Sequence, residues 1–112
     1  MAKYKFDRDC VYCDNKRIGN IKNGCIYEGD HSPGSGRRIG NVKAGCIYEG
    51  DHSPGSGTRI GNVKNGYVYS GNHSPGSGNK ICKVSDVTIP GIEREYDEMI
   101  VAVYHFLIKN FL

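Results

Sequence analysis

The chain has 112 residues, with 15 Lys and Arg against 12 Asp and Glu for a formal net charge of +3, and 16 glycines beside only 38 % hydrophobic residues. That length allows one modest domain. The charge is too mild for a dedicated nucleic-acid binder, and no apolar run approaches the ~20 residues that a membrane span needs.

The first nine residues, MAKYKFDRD, lack the apolar stretch of a secretory leader. Five cysteines (Cys10, Cys13, Cys25, Cys46, Cys82) make an odd set, read as reduced thiols and hence as a sign of a cytoplasmic protein. Cys10 to Asp14 aligns with Cys25 to Gly29, so the N-terminal segment reads as a degenerate copy of a unit repeated later in the chain.

From Arg17 that 21-residue unit repeats three times, over 17–37, 38–58 and 59–79, and a partial copy begins at Lys80. Such a unit is one supersecondary element that stacks on its neighbours. Each copy offers about five core candidates, such as Ile39, Val42, Cys46, Ile47 and Tyr48. Full burial of one such side chain contributes roughly 1.5–3 kcal/mol, while ordering each backbone residue costs about 1–2 kcal/mol. Units this lean need another element or another subunit.

Within a unit, two β-prone runs flank Asn23-Gly24 or Asn65-Gly66, a pair suited to a type I′ hairpin turn. The middle copy has Ala44-Gly45, which leaves its turn type open. A two-residue turn sets Lys22 opposite Cys25, Ile21 opposite Ile26, Asn20 opposite Tyr27 and Arg17 opposite Asp30. Strict alternation then places apolar residues on both faces, Ile21 with Ile26 on one and Ile18 with Tyr27 on the other. The hairpins are joined by H-S-P-G-S-G at 31–36, 52–57 and 73–78, a turn-rich connection.

After Pro90-Gly91 the character changes. Acids at Glu93, Glu95, Asp97 and Glu98 suit the first turns of a helix. Ile92, Tyr96, Met99, Ile100, Val103, Leu107 and Phe111 form one helical stripe, with further apolar residues around the circumference. A helix apolar nearly all round is covered on more than one side, here by the sheet and by a second subunit. Ile100, Val101, Tyr104, Leu107, Ile108 and Phe111 are the expected interface.

Chemistry is sparse. His31, His52 and His73 recur beside Asp30, Asp51 and Asn72, and are the metal candidates if the repeats stack closely. The simpler reading is a histidine that caps its own turn, and no metal or cofactor is expected. Cys10-Val11-Tyr12-Cys13 is a lone C-x-x-C in a strand, where i and i+3 face opposite ways. Arg17, Arg38 and Arg59 with Tyr27, Tyr48 and Tyr69 form two columns that suit a polyanion or a carbohydrate. No Ser-His-Asp set, paired-carboxylate motif or nucleotide fingerprint is present, so catalysis is not expected.

The units I-G-N-V-K-N-G-Y-V-Y-S-G-N resemble short Gly-rich repeats in uncharacterised bacterial proteins. Tyr27-Glu28-Gly29-Asp30 and Tyr48-Glu49-Gly50-Asp51 are also similar to the Y-x-G-E opening of MORN repeats, without the aromatic residue after the acid. The resemblance implies an elongated hairpin meander used for protein or membrane contact.

Together these readings predict a mainly-β fold. Tandem hairpin repeats over 1–90, as a meander or a solenoid-like array, carry one C-terminal helix over 91–112. The expected function is a non-catalytic structural or interaction module in a bacterial cytoplasm, with itself as first partner and another protein as second. Nucleic acid is not an expected partner. The alternative is a polyanion- or carbohydrate-binding module using the Arg and Tyr columns together with a lysine column, Lys22, Lys43 and Lys64.

Overall fold

The computed structural model describes residues 3–112. Among the described residues, nine strands form one antiparallel sheet in chain order: β1 (Tyr4–Asp7), β2 (Cys10–Cys13), β3 (Lys16–Lys22), β4 (Cys25–Glu28), β5 (Arg37–Lys43), β6 (Cys46–Glu49), β7 (Thr58–Lys64), β8 (Tyr67–Ser70) and β9 (Asn79–Lys83). The array is therefore a meander, with equivalent residues of successive repeats two strand spacings apart, about 10 Å. A 3-10 turn (Val84–Val87) follows β9, and α1 (Asp97–Val103) continues as a π-helical turn (Tyr104–Ile108).

The hairpin register is the expected one: Asn20 faces Tyr27, Ile21 faces Ile26 and Lys22 faces Cys25. Both turn residues have positive φ in all three repeats, at 52° and 80° for Asn23-Gly24, 51° and 81° for Ala44-Gly45, and 53° and 80° for Asn65-Gly66. Ala44 thus adopts the same type I′ turn as its asparagine counterparts, in a left-handed conformation that disfavours a Cβ.

Ile18 departs from the expected face. Opposite β2 the register slips between Val11 and Tyr12, because β3 holds one extra residue there, and the same slip recurs at Ile26/Tyr27, Ile47/Tyr48 and Val68/Tyr69. Such a β-bulge interrupts strict alternation. Ile18, Ile39 and Ile60 consequently pack with the core that holds Ile21, Val42 and Val63. One face of the sheet is therefore dry, contrary to the even distribution that strict alternation implies.

That face is concave. Val84 N–H donates to Gly66 O (2.9 Å) and Phe6 N–H to Pro90 O (2.8 Å). A flat sheet would hold the β7–β8 turn ~30 Å from β1, yet the chain from Val84 to Pro90 spans at most ~20 Å. The sheet must curl into a trough, and residues 84–92 run as a strap between its two ends, burying Val84, Val87, Ile89 and Ile92.

The helix lies in the trough, with Met99, Ile100, Val101, Ala102 and Val103 all buried. It begins at Asp97, later than the sequence stripe suggests. Ile92 is buried ahead of the helix in the strap, while Tyr96, the N-cap, is 79 % exposed. Phe111 lies beyond the helix and returns to stack edge-on against Tyr104, with ring centroids 5.6 Å apart. Covering by the chain's own strap replaces the second subunit expected on that side.

Ala44→Asn should raise stability by up to about 1 kcal/mol by restoring the residue that tolerates the left-handed turn. Urea denaturation checks this, and a loss of stability would contradict the turn assignment.

Candidate interaction surface

With the concave face filled, the surface that remains available is the convex face, the sheet edges and the distal end of the helix. The convex face is not bare. Each H-S-P-G-S-G loop folds back over it and is held by one buried asparagine. Asn20 Nδ2 donates to His31 O (3.3 Å) and Ser35 O (3.1 Å), and its Oδ1 accepts from Gly34 N–H (2.9 Å). Asn41 and Asn62 repeat the set on the next two loops. All three have zero exposure. Each amide makes both kinds of bond that its oxygen and nitrogen offer, so burial costs it little.

The histidine candidates belong to these loops. The imidazoles of His31, His52 and His73 rest on paired glycines: a Cβ at Gly29 would lie 2.9 Å from the His31 ring and one at Gly36 2.7 Å from it. The rings recur one to a loop, about 10 Å apart. Among the described residues no group of three or more His, Cys, Asp or Glu side chains converges as metal ligands. Their visible role is to pack the loop closed.

The arginine column is engaged within the protein. Arg17 Nε donates to Asp30 Oδ1 and Arg38 Nε to Asp51 Oδ1, both at 2.8 Å, while Arg59 Nε donates to neutral Asn72 Oδ1 at 2.9 Å. Each guanidinium also points an N–H at the buried thiol of the preceding unit: Arg17 at Cys10, Arg38 at Cys25, Arg59 at Cys46. In the final unit tyrosine replaces that cysteine and lysine the arginine, and Lys80 Nζ sits 4.5 Å from the centre of the Tyr67 ring. Tyr27, Tyr48 and Tyr69 are half-buried, beside Arg38, Arg59 and Lys80 across the strand pair. No disulfide joins the five cysteines.

Of the expected interface residues, Ile100 and Val101 are spent on the chain's own core, at 4 % and 0 % exposure. Tyr104, Leu107, Ile108 and Phe111 are only half-buried. They lie in the π turn and the residues after it, and pack against the core without being fully covered. Leu107 is seated over Gly19, where a Cβ would come within 2.6 Å of it, and Leu112 over Gly61.

His105 fastens this end. Its Nδ1 accepts the backbone N–H groups of Phe111 (3.0 Å) and Leu112 (3.1 Å), and burial lowers its pKa, with Glu49 opposing. Those two bonds require an unprotonated Nδ1.

Sequence reasoning missed the asparagine column. The available signal was an asparagine in the middle of each long strand, where that residue is depleted, repeating ahead of a glycine-rich loop.

These contacts generate two tests. Asn41→Ala leaves the Gly55 N–H and two loop carbonyls without a partner, for an expected loss of roughly 1–3 kcal/mol; a urea midpoint shift worth under about 0.5 kcal/mol would contradict the clamp. His105 takes its proton less readily folded than unfolded. Its contribution is therefore complete above the ordinary value of about 6.5 and declines as pH falls below that toward the lowered native value. Urea midpoints across this range should fall for the intact chain and stay flatter for His105→Asn, which keeps an acceptor but does not titrate.

No protein-family model, no curated protein and no solved structure matches this chain.

Proposed function

We propose that the protein is a non-catalytic interaction module that self-associates through the distal end of its C-terminal helix. The observation that carries this reading is the run of apolar side chains, Tyr104, Leu107, Ile108 and Phe111, that pack against the core yet stay partly exposed, whereas Met99–Val103 ahead of them are fully covered. Apolar side chains left incompletely covered side by side favour a protein contact that completes their burial. A π turn is an uncommon device that tends to accompany functional positions.

The proposed setting is a bacterial cytoplasm. Five unpaired thiols, three of them buried, suit a reducing compartment. No helix among the described residues is long and apolar enough to cross a membrane. A polyanion or carbohydrate ligand on the Arg and Tyr columns draws less support, because Arg17 and Arg38 already hold carboxylates and the loops lie over the convex face.

Light scattering on the intact chain and on Ile108→Glu tests the proposal. The expected result is a defined oligomer that becomes a monomer in the variant, with an unchanged circular dichroism spectrum. A monomeric intact chain, or an oligomer indifferent to Ile108→Glu, would overturn it.

A further inference from the structure

The two edges of the sheet are treated differently. At β1 the outer edge is occupied by the strap: Phe6 N–H bonds to Pro90 O, and Gly91 packs against the Phe6 carbonyl. At β9 no strand among the described residues lies on the outer side. In every complete repeat the residue at the bulge has its carbonyl taken by the following strand's exit glycine: Ile18 O accepts from Gly29 N–H (2.8 Å), Ile39 O from Gly50 N–H and Ile60 O from Gly71 N–H (both 2.9 Å). Ile81 stands at the same place in β9, and among the described residues its carbonyl has no such donor. Its side chain is 41 % exposed, one of two large apolar side chains among the described residues left in solvent.

Charge distinguishes this edge from the rest of the array. Residues 59–83 contain Arg59, Lys64, Lys80 and Lys83 and no acid. Asn72 stands where the earlier copies have Asp30 and Asp51, and Ser70 where they have Glu28 and Glu49. In the register Lys64 faces Tyr67 and Tyr67 faces Lys83, so two lysines flank that ring on the convex side, with Lys80 over it. Ile81 takes the place of the bulge isoleucines that pack toward the concave side.

We propose that the outer edge of β9 is a docking strand for an extended segment of another polypeptide that alternates acidic and apolar residues. Main-chain pairing at an open edge supplies affinity, and side chains at every second position supply the choice of partner. Acids on the convex side meet Lys64, Lys80 and Lys83, and apolar residues on the other side cover Ile81. A second copy of β9 is a poor occupant, because antiparallel pairing sets its Lys80 and Lys83 against the same two lysines, and like charges across a strand pair repel. Of the chain's own acids, Asp86 accepts the Lys83 N–H (3.0 Å) and caps that end of the strand, leaving the edge from Asn79 to Cys82 for the segment, while Glu98 accepts from Gly45 N–H (3.2 Å) and Glu93 from Gly91 N–H (3.1 Å).

Fluorescence anisotropy with a labelled synthetic peptide of alternating Glu and Val tests the site. The intact protein should bind it, and Lys80→Glu/Lys83→Glu should weaken binding by roughly tenfold or more, since both lysines are exposed and their loss mainly removes charge complementarity. The same peptide N-methylated at alternate amides should not bind, and the carbonyl-carbon resonance of Ile81 should shift only with the unmethylated one. Absence of binding overturns the proposal. Equal binding of the methylated peptide overturns it in favour of general attraction for anionic polymers. Self-association that the double substitution changes, with no peptide binding, overturns it in favour of a second copy at this edge.

Discussion

Burial of Met99–Val103 in the trough of the sheet is the interaction around which the rest of the molecule is arranged. A hairpin of this repeat contributes only two or three large apolar side chains to the concave side, too few to hold itself closed. Several hairpins arranged around one helix share its apolar circumference, and each fully buried side chain there contributes roughly 1.5–3 kcal/mol. The contact explains the glycine of R-I-G-N. Gly19, Gly40 and Gly61 have ordinary negative φ, and a Cβ at any of them would run into Leu107, Phe106 or Leu112. They are glycines because the C-terminal segment occupies the space.

Curling of the sheet makes this economy possible. One bulge per repeat turns an isoleucine toward the helix and bends the strand, and the strap of residues 84–92 joins the curled ends. On the outside the loops form a second covering, each fastened by its asparagine, with Pro54 beside Gly24 and Pro75 beside Gly45, so that these loops also lean on the preceding hairpin turn. A sheet covered on both faces displaces exposed, adaptable surface to its ends: the distal turn of the helix and the outer edge of β9.

How much of this could be read in the residues depends on how local its cause is. The hairpins and their register were legible because Asn-Gly turns fix pairing over a few residues, and the Arg17–Asp30 pair follows from that register. Ile18 was misplaced because a bulge is one added residue on one strand, and the sequence bears no mark of it. The helix start was misread because Ile92 and Tyr96 fit a helical stripe equally well; the first is buried by the strap and the second is left in solvent, a difference set by contacts far along the chain. For the same reason the burial of Ile100 and Val101 was assigned to a second subunit. The asparagine clamp depends on a loop folding back onto its own strand, which no periodicity announces.

Native-state hydrogen exchange tests most directly the claim that array and helix are one cooperative unit. If the helix is the shared core, the amides of Met99–Val103 and those of β3 through β8 should open with the same free energy and respond together to mild denaturant. Fast exchange in the helix above a protected sheet would mean that the array stands without it, and the central claim would fail.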